Sequence, residues 1–557
     1  MQQPETTQQD SGARLLLNIS LSKLPGTTVS LDDRATPCRF RLLNCNAFLD
    51  QSNLRIMEYA TFPLTEHLYA AVPYPWRDLQ PPENSMPPEG SFSVRGAEHA
   101  DQISIDVLRT ACLAARRHGM PLLWLDRLCL LQTSKQDKNW QIQRMFQIYK
   151  RCNICLIFPG GFVRLADLSE PTSWIDRAWT LQEAAANLTR DTLKCVFSFT
   201  QSSLQEYLQG LPEPAGSPAF IQFMCSGSTF VQILEPGHSG ICDLMELFAA
   251  IFFTTSYFEA NKLTYNDIPL RIVAAPAAAL LKKGLHGNNF INHQNLWMSA
   301  FTRTSSRPVD TVFSVMGPMA VNLTVSEYGA NDRLRATIHL IQALLKRGRK
   351  ADWLFIAPEL PPSSELSTLP TFPETSVSGR AFIRTHNGDI SAFDAIGLKE
   401  PWKTDGAPQG VMPDSGYFTF RAKGALIVGR SSDAIPSKNG QWYECPAFNS
   451  VPLATQEVWA VVVGRRRESN RDPNTGQITL FDADKPFPKI QELTLMLIEK
   501  HGVQDGQALY HRLGMEHEID EGKMGKWQWV ERDFSVGGQG KGDRVRFGVS
   551  LQGPVYF

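Results

Sequence analysis

The sequence predicts an α/β protein: a parallel sheet flanked by helices, followed by a helical region and a β-rich α+β C-terminal domain. Three observations carry this. Between about residues 55 and 200, short continuously apolar runs alternate with amphipathic helical patterns, as in a parallel sheet covered on both faces. From 240 to 350 the periodicity is mostly helical, and beyond about 395 runs of strand character take over. The expected boundaries are an N-terminal arm over 1–50, an α/β domain over 51–215, a helical region over 216–395 and the β-rich domain over 396–557.

The elements follow in order. The first ten to twelve residues are polar and read as disordered. Leu68 to Tyr74, "LYAAVPY", is a strand followed by a Pro-rich loop. In "ISIDVLRTACLAARRHG", Leu108, Ala111, Cys112 and Ala115 fall at i, i+3, i+4 and i+7, and Gly119 ends the helix after two arginines. "PLLWL" is the next strand. The segment "TSKQDKNWQIQRMFQIYKR" is a helix capped by Thr133 or Ser134, with Ile142, Met145, Phe146 and Tyr149 on one stripe. "ICLIF" is a strand running into Gly160 and Gly161, "SWIDRAWTLQEAAAN" a helix, and "LKCVFSF" a fourth strand. Further on, "DLMELFAAIFF", "RIVAAPAAALLKK" and "DRLRATIHLIQALLKRG" are helical. "GYFTFRAKGALIVGR", "EVWAVVVGRRRE" and "QITLF" are strands, the last after a "PNTG" turn, and "IQELTLMLIEKHG" reads as a helix.

Composition narrows the function classes. The chain has 557 residues, 43% of them hydrophobic and 20% charged, with a net charge of −1. That balance suits a globular protein and gives no global attraction to nucleic acid or anionic membrane. The N-terminus has no apolar core of a secretory signal, and the longest apolar run, Leu247 to Phe253, is too short to span a bilayer. The ten cysteines sit mostly among apolar neighbours, as reduced thiols in a cytoplasmic protein do. Cys152 and Cys155 form a C-x-x-C without a second pair at zinc spacing. No Walker A, H-E-x-x-H or G-x-S-x-G pattern occurs; His511 and His517 read as surface, and "GRRRE" as a solvated turn.

The candidate chemistry gathers at one sheet edge. Ligands of open parallel sheets bind beyond the carboxyl ends of the strands. Asp126 follows "LLWL" directly, Tyr74 and Trp76 follow the first strand, and Gly160 and Gly161 the third. The alternative is structural: Asp126 caps its loop or pairs with Arg127 or Arg177. In "WIDRAWTLQEAA", Asp176, Thr180 and Glu183 would share a helix face beside Trp179, with Ala178 and Ala185 packing inward. A glutamate beside a tryptophan has a raised pKa, or stabilises a developing cation; an exposed glutamate supporting its own helix is the plain alternative.

Three blocks resemble the fungal heterokaryon-incompatibility (HET) domain. They are "YAAVPYPWR" (Tyr69 to Arg77), "WLDRLCLLQ" ending at Gln132 with "MFQIY" (Met145 to Tyr149), and "RAWTLQE" (Arg177 to Glu183). Pro73 and Arg77 stand where the family usually has serine and glycine. The stretch "RTSSRPVDTVFSVMG" resembles the helical extension of some mushroom-type members. The resemblance implies nonself recognition and programmed cell death, and a fold similar to TIR domains. It implies a protein partner or self-association through that domain, and it names no cofactor. Because some TIR domains hydrolyse NAD, it also implies a second reading: a nucleotide ligand, NAD, as substrate, with Glu183 and Asp126 as catalytic carboxylates. Tyr74, Trp76, Arg127, Gln132, Gly160, Gly161, Arg177 and Trp179 would then line the ligand site.

Overall fold

A computed structural model describes residues 13–60, 68–77, 79–80, 87–186, 192–200, 231–251, 270–273, 293–357, 360–376, 379–385, 388–396, 404–427, 435–436, 442–443, 457–467, 491–520 and 528–538. The expected disorder of the first residues, the helix "RIVAAPAAALLKK" beyond residue 273, the "PNTG" turn and the strand "QITLF" lie outside the described residues. The chain divides into two units. The first holds residues 1–287, 303–329 and 376–380, and the second 288–302, 330–375 and 381–557.

Among the described residues the main sheet of the first unit has nine strands: β1 (Ala13–Ser20), β2 (Phe40–Asn44), β3 (Asn53–Tyr59), β4 (Tyr69–Ala71), β5 (Leu122–Trp124), β6 (Ile154–Ile157), β7 (Leu193–Ser198), β8 (Gln232–Glu235) and β9 (Ser239–Asp243). Their spatial order is β1-β3-β2-β5-β4-β6-β7-β9-β8. Only the central four are parallel, with β4 beside β5 and β6, and β7 beside β6. The expectation of a parallel sheet is therefore corrected to a mixed one. The strands β1, β2 and β3 on one side, and β8 and β9 on the other, join antiparallel, and among them β8 and β9 are close enough in sequence to pair as a hairpin. Residues 13–20 and 40–44 of the expected N-terminal arm are strands of this sheet. Within the parallel core the order is second, first, third, fourth, as in doubly wound sheets.

Both faces of that core are covered, which is why its strands read as unbroken apolar runs. On one face Ala70, Leu123 and Leu156 join Leu108, Ala111, Cys112 and Ala115 of α2 (Ile105–Arg117). The Ser104 side chain caps this helix at the Val107 N–H, and Gly119, at φ +78°, turns the chain out of it. On the other face α4 (Lys135–Arg151) sets Tyr149 edge-on to Trp124 at 5.5 Å, and the Tyr69 hydroxyl donates to the Ile148 carbonyl at 2.6 Å. Its N-cap is Ser134, and its buried stripe is Gln141, Met145, Ile148 and Tyr149, with Ile142 and Phe146 only half-buried.

In the second unit a seven-stranded sheet runs from Thr404–Asp405 to Trp529–Val536. The expected helix "IQELTLMLIEKHG" is corrected to a strand, Gln491–Gln504, paired on both sides. Leu495, Met496, Leu497 and Ile498 are all fully buried, so both faces of this central strand are apolar and its period-2 signal vanishes. The turn after it is Asp505-Gly506, both at positive φ, a hairpin signal readable in the sequence and missed above. His511 is likewise corrected: it is buried in the paired strand, its Nε2 3.0 Å from Glu499. Among the described residues no helix is long and apolar enough to cross a membrane.

Candidate functional site

Asp126 opens a single helical turn, α3 (Asp126–Cys129), directly after β5. Its carboxylate accepts from three donors. The Tyr74 hydroxyl lies 2.5 Å from Oδ1, Trp76 Nε1 2.6 Å from Oδ2, and the Arg127 N–H 2.6 Å from Oδ1. Arg127 turns its guanidinium away to the Tyr74 hydroxyl (Nε, 2.9 Å) and the Asp101 carbonyl, stacking over the Tyr74 ring at 5.0 Å. The Arg127 Nη2 is buried without a hydrogen-bond partner. Gln132 folds back so that its Nε2 donates to the Asp126 carbonyl at 3.0 Å. Burial pushes the Asp126 carboxyl up, against the pull of Tyr74, Trp76 and Arg127.

The turn that carries Asp126 is anchored by a buried ion pair. Arg41 on β2 reaches both oxygens of Asp137 at 3.0 and 3.1 Å and the Cys129 carbonyl at 3.0 Å. Asp137 in turn accepts from the Leu131 N–H at 2.9 Å and the Cys38 N–H at 2.6 Å. No sequence signal marked Asp137 or Arg41, because their roles depend on pairing across more than ninety residues.

Glu183 stands on α5 (Ala178–Ala185). The expected helix from Ser173 onward is corrected here. Trp174–Asp176 form a 3₁₀ turn, Arg177 is extended, and only then does α5 begin, so Asp176 is not on the helix face of Glu183. The break has a cause: Thr304 pairs with the backbone at this point, its N–H donating to the Asp176 carbonyl (2.7 Å) and its carbonyl accepting from Ala178 N–H (2.9 Å). On α5 Ala178 packs inward as expected, but its partner there is Ala184, while Ala185 is half-buried.

Glu183 is 7% exposed, and its Oε2 has no hydrogen-bond partner. Burial pushes its carboxyl up to about 8. The charge of Asp126 adds to that, while Arg177, a hydrogen bond from Tyr149 and Arg303 act against it. Glu183 is therefore largely protonated at neutral pH. Trp179 is turned elsewhere, its Nε1 donating to the buried Asp310 at 3.1 Å. Gly160 and Gly161 sit at the same strand edge as Asp126 but are packed in: a Cβ on Gly160 would meet Leu79 and Ala166 below 3.0 Å, and Gly161 has φ +82°.

Tyr74, Asp126, Tyr149 and Glu183 come from four separate stretches of sequence: Tyr74 is hydrogen-bonded to Asp126, Tyr149 to Glu183, and the two carboxyls feel each other's charge. Tyr74→Phe removes a donor to Asp126 and an acceptor from Arg127 at once. The expected result is a loss of roughly 2–3 kcal/mol in urea unfolding, the size of a hydrogen bond to a charged group. A change under about half a kcal/mol would show that the cluster relaxes around the gap.

The fold defines a mixed α/β domain whose Y-x-W, W-x-D and I-Y blocks supply the polar groups at its strand ends. Residues 69–164 match the family model described as Heterokaryon incompatibility protein (HET), and this segment is a HET domain. The match takes in Tyr74, Trp76, Asp126, Arg127, Gln132, Tyr149, Gly160 and Gly161 and ends before Arg177, Trp179 and Glu183. No curated protein and no solved structure matches the chain. A HET domain points to a function of the heterokaryon-incompatibility type. Among the described residues no group of three or more His, Cys, Asp or Glu side chains could hold a metal ion.

Proposed function

We propose that the chain is an incompatibility-type signalling protein whose HET domain drives nonself recognition and cell death by protein association. The observation that supports this most is the state of Asp126. Both of its oxygens are taken up by Tyr74, Trp76 and Arg127, so these blocks hold a surface in shape rather than present a free carboxylate. On this reading the domain engages a protein partner or a second copy of itself, in the cytoplasm, through a TIR-like arrangement and with no cofactor.

A second reading, NAD hydrolysis, draws on one observation. Burial pushes the Glu183 carboxyl up to about 8, one of its oxygens is unpartnered, and it feels the charge of Asp126. Such a carboxyl could supply a proton, or as its anion face an oxocarbenium-like ribosyl centre.

Inducible expression of the full chain in a filamentous fungal host separates the two, with nicotinamide release from NAD measured on the purified protein at high concentration. Growth arrest that persists in Glu183→Ala, with no release, is the expected result. Normal growth on expression overturns the incompatibility function. Release that disappears in Glu183→Ala replaces association with catalysis.

A further inference from the structure

The "RAWTLQE" block is held by chain that lies more than a hundred residues downstream, outside the segment that matches the HET family. Arg303 is 2% exposed and donates from Nη1 to the Ile175 carbonyl, to the Arg177 carbonyl at 3.2 Å and to Thr180 Oγ1 at 2.9 Å. Thr304 bridges Arg177 in parallel, as a one-residue strand. Its hydroxyl in turn accepts from the Ser376 N–H at 2.7 Å and donates to the Ser376 carbonyl at 3.0 Å. Asp310 takes the Trp179 indole N–H and the Ser305 hydroxyl. The helix α7 (Asp310–Met316) packs on α5, and Gly317 after it lies so close that a Cβ would sit 2.5 Å from Phe146 and 2.9 Å from Gln182. Arg380 completes the ring, 3.7 Å from Asp176.

These contacts occupy the backbone groups that would otherwise continue one helix from Trp174 to Ala185. They also bring a buried cation to a helix end, where it feels the charges of Asp176 and Glu183. Burying a guanidinium is costly unless its donors are used, and here Nη1 serves three acceptors, two on the block and one just before it.

We infer that residues 303–329, with 376–380, are a clasp belonging to the HET module, and that Arg303 is its positioning residue, fixing the backbone from which Glu183 projects. The module is therefore discontinuous in sequence. The chain enters the clasp from Thr302 and leaves it into Ala330, both in the second unit. The inference rests on the proposed function in one respect, that the "RAWTLQE" helix belongs to the effector module.

The test uses the full chain with Arg303→Met and Arg303→Lys. Hydrogen exchange should quicken on the order of tenfold or more across 174–186 in Arg303→Met, as charge-assisted hydrogen bonds are lost, while 69–71 and 122–124 keep their protection. The second readout is the pH at which the stability linked to Glu183 stops falling. Removing the cation moves it upward in Arg303→Met, and Arg303→Lys, which keeps the charge but loses the fork, leaves it in place. Faster exchange over the whole first unit would make Arg303 an ordinary core residue; wild-type exchange at 174–186 would remove the clasp. If Arg303→Met does not fold, Arg303→Lys decides: local quickening supports the clasp, none rejects it. Growth arrest separates the two levels. A wild type that does not arrest growth defeats the proposed function and leaves the exchange result standing. Arrest that survives a loosened 174–186 helix defeats the clasp's functional role alone.

Discussion

Asp137→Ala is expected to destabilise the first unit by roughly 3–5 kcal/mol, because breaking a buried ion pair leaves its partner charged and unpaired. Arg41 and Asp137 are both fully buried, and Asp137 also takes the Leu131 and Cys38 N–H groups. The loss falls on the loop after Asp126, since Arg41 also holds the Cys129 carbonyl. Glu58, 3.4 Å from Arg41 Nε, offsets part of it, though it is already engaged by Arg14 at 2.6 Å. Urea unfolding followed by tryptophan fluorescence measures the change. A loss below about 1 kcal/mol would mean that Glu58 takes over the pairing. Arg41→Met combined with Asp137→Leu should recover a large part of the stability, since a buried pair exchanged for apolar side chains is often neutral.

Glu183→Gln is expected to make the protein more stable at pH 8 than the wild type, with little difference near pH 4. The wild-type carboxyl titrates at about 8 when folded, against an ordinary value of 4.5. The folded state thus holds a proton that the unfolded state releases, and stability falls as pH rises through that window. The contribution is fully present below about 4.5, declines to pH 8 and is then gone, a total of roughly 5 kcal/mol. The groups that set the upper limit are Asp126, Arg177, Tyr149 and Arg303, with the Cys155 thiol nearby. Glutamine mimics the protonated acid and has no proton to lose, so the slope disappears. Unfolding free energy from pH 5 to 8.5 for the two proteins reads this directly. Parallel curves would show that Glu183 is ionised in the folded state.

The central architecture was legible because its signals are local. The helix Ile105–Arg117 shows its Ser104 cap, its apolar stripe and its terminal Gly119 within sixteen residues, and tertiary contacts only add to them. The strands Tyr69–Ala71, Leu122–Trp124 and Ile154–Ile157 are apolar on both faces, and the loops after them carry Tyr74, Asp126 and Gly160, so the site edge followed from their alternation with helices. The strand Gln491–Gln504 fell on the other side of the same rule. An apolar run of that length is equally a buried helix, and only its two neighbouring strands decide.

The sequence by itself determined that an α/β domain of HET type stands in the first third of the chain, and which residue types gather at its strand ends. Tertiary structure alone decided that Asp126 is saturated by Tyr74, Trp76 and Arg127, that Arg41 and Asp137 pin its loop, and that Glu183 keeps a proton. It also decided that "WIDRAWTLQE" breaks at Arg177, where Arg303 and Thr304 take its backbone groups. The reason is common to all of these. Periodicity and capping report interactions a few residues apart, whereas burial, charge pairing and competition for a carbonyl arise between residues that only the folded chain brings together.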